Sequence, residues 1–244
     1  DCIVNAHRPL ITSHIRLDGD ALGSELALCH LLKLRGQSPH IVNDGPPPAI
    51  YRFLPGVESV GDSPEQLKDD YDLVISLDMP ERDRAGRIFA GLRNRSPVVA
   101  VDHHPVIGAT GDPEWKDPTI SSTGEMIYRL AEADDWTISP AAATCLYTAI
   151  LTDTGSFAFP NTTPSTLRIA ARLIELGADP ASIAESVYMN EPLPIMMLRA
   201  DTVETVQLHH DHRVAVMHIT REMFRKRNVD PLDTHRFADL PRSV

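Results

Sequence analysis

Two stretches leave this chain little freedom in what it can fold into. Leu73-Val74-Ile75-Ser76-Leu77 and Pro97-Val98-Val99-Ala100-Val101 are unbroken apolar runs, and each ends in an acidic residue, Asp78 and Asp102. An unbroken rather than alternating run is what a strand buried on both faces requires. Helix-like stretches separate the runs, the pattern of a parallel sheet covered by helices. Pro9-Leu10-Ile11-Thr12-Ser13-His14-Ile15 and His40-Ile41-Val42 add two strands. A helix is expected from about Ser24 to a C-cap at Gly36, with Leu22, Leu26, Cys29, Leu32 and Leu34 on its apolar face. Residues 123–135, 140–151 and 164–177 read as further helices. The expected fold class is therefore α/β, a parallel sheet flanked by helices, with the beginning of a second α/β domain at the C-terminal end.

The pattern changes near residue 190. We expect a catalytic domain over 1–190, a connecting helix over 191–206 and the start of a substrate-binding domain over 207–244. Within this stretch Val203–Leu208 and Arg213–Ile219 read as a hairpin turning at His210-Asp211-His212.

The formal charge of −11 argues against a protein that grips long nucleic acid through a broad basic surface, while leaving short or mononucleotide substrates open. Three scattered cysteines, Cys2, Cys29 and Cys145, give neither a disulfide framework nor a thiolate zinc site, and suit a reducing compartment. No apolar run approaches the roughly 20 residues of a membrane helix. A cytoplasmic location is the expectation.

Ligands of open parallel sheets bind at the carboxyl ends of the strands. Here those ends carry His14, Asp18 and Asp20 after the first strand, then Asp78, then Asp102-His103-His104, while Asp153 follows an apolar helix. Carboxylates crowded into one crevice stay charged only with cations nearby. Five aspartates with two or three imidazoles can supply two metal centres, and Asp78, alone at its strand end, is the natural bridge. Mn²⁺ fits this oxygen and nitrogen donor set best, with Mg²⁺, Co²⁺, Fe²⁺ or Zn²⁺ as substitutes. Two ions roughly 3.5–4 Å apart can hold a hydroxide and clamp phosphate oxygens.

Alone, Asp18-Gly19-Asp20 reads as a turn, Asp78 as a helix N-cap and Asp102-His103-His104 as a surface loop. Their joint occurrence, in order and at element ends, is what points to a metal site. His209, His210 and His212 read as a polar hairpin turn rather than a second metal tract, and Cys29 and Cys145 as core. Arg82, Arg84 and Arg87 follow Asp78 as solvated helix-start residues or phosphate contacts.

The segments His14 to Ser24, Asp78, Asp102-His103-His104 and Asp153-Thr154-Gly155-Ser156-Phe157 resemble the four ordered motifs of the DHH phosphoesterase family, over about residues 9–190. Ser121-Ser122-Thr123-Gly124-Glu125 and Asn161-Thr162-Thr163 resemble its nanoRNase branch, which degrades very short oligoribonucleotides and dephosphorylates 3′-phosphoadenosine 5′-phosphate (pAp). The resemblance implies one metal ion on His14, Asp18 and Asp78 and a second on Asp20, Asp78, His103 and Asp153. It implies that His104 contacts the scissile phosphate as donor or acid, with Asp102 orienting the histidine pair. Of the arginines that follow Asp78, Arg84 is the expected substrate contact. The resemblance also implies a homodimer.

The chain departs from the family pattern in having Arg16-Leu17 where Asn-Pro is usual, and Pro105-Val106-Ile107-Gly108 where an Asn is usual. These departures bear on substrate detail. The family's Gly-Gly-Gly-His substrate loop does not occur in this sequence, and we expect the natural chain to continue past Val244. Rival expectations within the enzyme class are a cyclic-dinucleotide phosphodiesterase, a RecJ-like single-strand exonuclease and a type II inorganic pyrophosphatase. From another class comes a non-catalytic nucleotide-binding regulatory module.

Overall fold

The computed structural model describes residues 2–92, 96–105 and 113–243. Residues 106–108 of the segment that departs from the family pattern lie outside them. The chain divides into two compact units, Asp1–Ala184 and Glu185–Val244.

The first unit runs α1 (Cys2–Asn5), β1 (Pro9–Thr12), α2 (Gly19–Leu34), β2 (His40–Ile41), β3 (Leu73–Leu77), α3 (Ile88–Gly91), β4 (Val98–Asp102), β5 (Glu114–Lys116), α4 (Thr123–Ala133), α5 (Pro140–Asp153), α6 (Pro164–Glu175) and α7 (Pro180–Ala184). Its five strands are all parallel, in the order β2-β1-β3-β4-β5. The expected doubly covered parallel sheet is what forms. Every residue of β1 and β3 is buried, as unbroken apolar runs require. Side chains of successive strand residues take opposite faces. Leu10 and its register partner Val74 therefore share one cluster with Val42, Met79 and Ile88. α2 and α4 pack against the sheet, and α5 packs against both of them.

The strand order reverses between β1 and β3, so the crevice at their carboxyl ends is the topological switch point where such sheets hold ligands. His14 and Asp18 follow β1, and Asp78 follows β3 directly.

Three local expectations change. The first strand ends at Thr12 rather than Ile15, because the Asn43 amide oxygen takes the Ser13 N–H at 2.9 Å and the Thr12 hydroxyl at 3.3 Å, drawing the chain out of the sheet. The helix expected from Ser24 starts five residues earlier, at Gly19. Asp18 is its N-cap, accepting the Ala21 N–H at 3.0 Å, so the apparent turn Asp18-Gly19-Asp20 is the helix's opening. Gly19 is required there by α5, since a Cβ would lie 2.4 Å from the Thr152 hydroxyl. Leu34, assigned to the apolar face, is exposed.

The second unit contains α8 (Leu193–Val203), β6 (Gln207–His209), β7 (Val214–Val216) and α9 (Arg221–Arg227). Leu198, Val229 and Phe237 form its core, with Ile195, Ile219, Met223, Phe224 and Leu240 packed around them. The expected hairpin forms but is shorter. Val203 belongs to the helix, and His210, Asp211 and His212 all take left-handed backbone conformations at the turn.

Candidate metal centre

Six of the nine residues singled out from the sequence converge on the switch point. The Ser13 hydroxyl donates to the Leu77 carbonyl at 2.7 Å, tying the end of β1 to β3. His14 is thereby set beside Asp78, and both are almost wholly buried. The His14 Nδ1–H donates to the Ile15 carbonyl at 2.9 Å, which leaves the Nε2 lone pair to face inward. That nitrogen lies 3.5 Å from Asp78 Oδ2 and 3.8 Å from Asp18 Oδ2.

A second imidazole serves the other side. His103 Nε2 lies 3.5 Å from Asp78 Oδ1, 3.7 Å from Asp20 Oδ2 and 3.6 Å from Asp153 Oδ2. Asp20 is fixed by the first turn of α4, whose Thr123 and Gly124 N–H groups donate to its two oxygens at 2.7 and 2.8 Å. Such close approach needs glycine at 124, where a Cβ would come within 2.5 Å of the Ala149 methyl. Asp153 is the last residue of α5, the helix end that disfavours negative charge. Its carboxylate receives the Asn161 side-chain N–H at 3.3 Å.

Asp78 joins the two sides. Its backbone is left-handed, with φ +54°, a conformation Asp tolerates better than most residues. Its Oδ2 faces His14 and its Oδ1 faces His103, and Oδ1 also accepts the Thr123 hydroxyl at 3.0 Å.

His104 stands apart from this set. Its Nδ1, 3.7 Å from Asp78 Oδ1, is engaged at 2.8 Å by Asp102 Oδ1, so Nδ1–H donates to that buried carboxylate and Nε2 has no partner among the described residues. Asp102 thus holds the His104 ring in place. Among the described residues Arg84 reaches the centre through its backbone, where its carbonyl accepts the Ile15 N–H at 2.7 Å; its side chain is exposed.

The polypeptide alone balances these charges with protons. Burial opposes the charge on His14 and His103, yet Asp78 and the neighbouring aspartates outweigh it and hold both near 9. Asp78 is depressed despite its burial, because the two imidazoles face it. Burial and the facing carboxylates push Asp20 well above the ordinary range and Asp153 to about 6. The hydrogen bond that His104 donates to Asp102 leads the causes that raise His104.

These donors fit divalent cations. Hydrogen bonds to nitrogen span about 2.7–3.2 Å. Ligand atoms about 2.1 Å from one ion in tetrahedral or wider arrangement stand roughly 3.4–4.2 Å apart. The gaps of 3.5 to 3.8 Å from the two inward-facing imidazole nitrogens to the aspartates fall in the second range. The sets His14–Asp18–Asp78 and Asp20–His103–Asp153 each bring their ligand atoms within 4.8 Å of one another.

Sequence reasoning missed Thr123, Asn161 and Asn43 as supports of this centre. Asn43 also donates to the fully buried Glu25 at 2.9 Å, and burial holds that carboxyl near 8. The available signal for Thr123 was a Ser-Thr-Gly opening of a helix, which shows a cap but not what it faces.

A carboxylate and imidazole cluster at the switch point of a doubly wound sheet defines the class: an α/β protein equipped to hold divalent metal. More narrowly, this chain belongs to the DHH family, whose N-terminal domain matches residues 8–150. It is 34% identical over 214 residues to the bifunctional oligoribonuclease and PAP phosphatase NrnA of Thermus thermophilus, covering 87% of this chain and 63% of that protein. The Bacillus subtilis protein of the same name is 29% identical over 212 residues, covering 85% and 65%. The chain thus spans a little under two thirds of these relatives' length. A crystal structure of an exopolyphosphatase-related protein from Bacteroides fragilis shares the fold, with a TM-score of 0.90 at 24% identity over 99% of this chain and 74% of that one.

Proposed function

We propose that this protein is a Mn²⁺-dependent phosphoester hydrolase acting on short oligoribonucleotides and on pAp. The observation that carries the reading is the division of Asp78 between two imidazoles, Oδ2 toward His14, which also faces Asp18, and Oδ1 toward His103, which also faces Asp20 and Asp153. In this reading His14, Asp18 and Asp78 hold one ion and Asp20, Asp78, His103 and Asp153 the other. Bound ions would supply neutralisation of phosphate charge and an acidified water.

The chain's own groups do the rest. Asp102 fixes the His104 ring through Nδ1, so Nε2 is the atom presented to the scissile phosphate, and the bond to Asp102 favours the ring's protonated form. Arg84, on the turn that supports Ile15, contacts the substrate's phosphate chain. Residues 207–244 belong to the domain that binds the nucleotide. The charge of −11 suits small substrates, and the names of the relatives give oligoribonucleotides and pAp as the substrates to try first. A cytoplasmic homodimer completes the reading. No described helix is long and apolar enough to cross a membrane.

Incubation with Mn²⁺ and either di- to pentaribonucleotides or pAp should release mononucleotides or inorganic phosphate. No turnover above an Asp78→Asn control on either substrate class would overturn the proposal.

A further inference from the structure

The two sides of the centre are braced unequally. Apart from the histidines, the described hydrogen bonds to the Asp20 and Asp78 carboxylates come from Ser24 and from the opening of α4. Thr123 makes two of them. Its N–H donates to Asp20 Oδ2 at 2.7 Å, and its hydroxyl donates to Asp78 Oδ1 at 3.0 Å. Asp20 lies 103 residues away in sequence and Asp78 45 residues away. Both oxygens face His103, at 3.7 and 3.5 Å. Thr123 has no described bond to Asp18, to His14 or to Asp78 Oδ2, the atoms of the other side. Its hydroxyl is wholly buried, so water does not stand in for the bond.

We infer that Thr123 is a positioning residue for one ion site only: through its hydroxyl it sets the Asp78 oxygen that serves Asp20, His103 and Asp153, and leaves the His14–Asp18 site untouched. This rests on the two-ion reading above. A hydroxyl donating to one oxygen of a ligating carboxylate holds that oxygen in place and tunes its charge, and losing such a partner costs roughly 10–100-fold in metal affinity. Val replaces Thr with nearly the same shape and keeps the backbone N–H on Asp20, so the substitution isolates the hydroxyl.

The test is calorimetric titration of the metal-free protein with Mn²⁺, alongside the spin-resonance spectrum of the loaded protein. The parent should take up two ions and show the spectrum of a coupled pair. In Thr123→Val one uptake event should weaken by roughly tenfold or more, with the other within twofold, and the pair signal should give way to that of an isolated ion. Thr123→Ser should restore both, and Asp18→Asn should weaken the opposite event, marking which is which. Thr123→Ala gives a second hydroxyl-free chain if the valine variant does not fold. Two events unchanged in the hydroxyl-free chains, or both weakened alike, would overturn the inference. A parent that takes up only one ion or none would instead sink the two-ion reading and the inference with it.

Discussion

The two halves of the centre are built by different means. His14 and Asp18 are four residues apart, on one loop, and the Asp18 side chain is half exposed at 50%. Asp20, His103 and Asp153 come from three distant segments, and the Asp20 side chain is 1% exposed. Apart from the shared Asp78, the first half is thus a local device built from β1, its loop and the cap of α2. The second half exists only when α2, α4, α5 and β4 have assembled. Ion uptake on the open side should tolerate local change, while uptake on the closed side should report on the whole unit.

The strongest way to break this contrast is at the shared residue. Asp78→Asn should remove binding on both sides together and lower kcat roughly a thousandfold, the scale of the several kcal/mol that a metal centre contributes. Activity within tenfold of the parent, or one side binding normally, would show that the halves are independent. Next in size is Gly124→Ala. Its methyl group cannot fit against Ala149, so the unit should lose about 1–3 kcal/mol and several degrees of melting temperature, with closed-side uptake weakened more than open-side uptake. Asp18→Asn keeps an N-cap of equal quality and should leave the melting temperature within about a degree, yet weaken open-side uptake.

The pH dependence of the metal-free protein sharpens the same comparison. His14 and His103 hold protons up to about 9 when folded, against an ordinary 6.5, so their stabilising contribution is complete below 6.5 and lost as pH rises toward 9. Asp153, raised to about 6 from 3.8, acts in the same direction between those values. The depressed Asp78 acts oppositely, and its contribution is lost only on acidification below the ordinary carboxylate range. Melting temperature should therefore fall from pH 6 to 9 without metal. Saturating Mn²⁺ should flatten or reverse that slope, because uptake displaces the protons. A flat metal-free profile would contradict the charge balance described above. The smallest effect is expected at exposed Arg84, where Arg84→Ala should raise KM several-fold and leave both uptake events alone.

The legible part of the molecule was the part governed by short-range pattern. The buried strands declared themselves as unbroken apolar runs, and the site residues stood out because Asp78 and Asp102 terminate those runs. What escaped was set by partners far along the chain. Asp18 passed for a turn residue because the helix it caps opens on Gly19 and acidic Asp20, and Gly19 is explained only by Thr152. Thr123 and Asn161 matched family segments without disclosing which carboxylates they reach. The short β5 was not anticipated, since Glu114-Trp115-Lys116 carries neither alternation nor an apolar run.

The left-handed backbone of Asp78 narrows the ways in which this protein could decay. A copy released from selection for chemistry would still have to turn sharply at the tip of β3, and only Asn, Gly or Asp make that turn at low strain. Retired descendants of the fold should carry Asn or Gly at this point far more often than Ala or Val, preserving the shape of the crossing after its charge has gone.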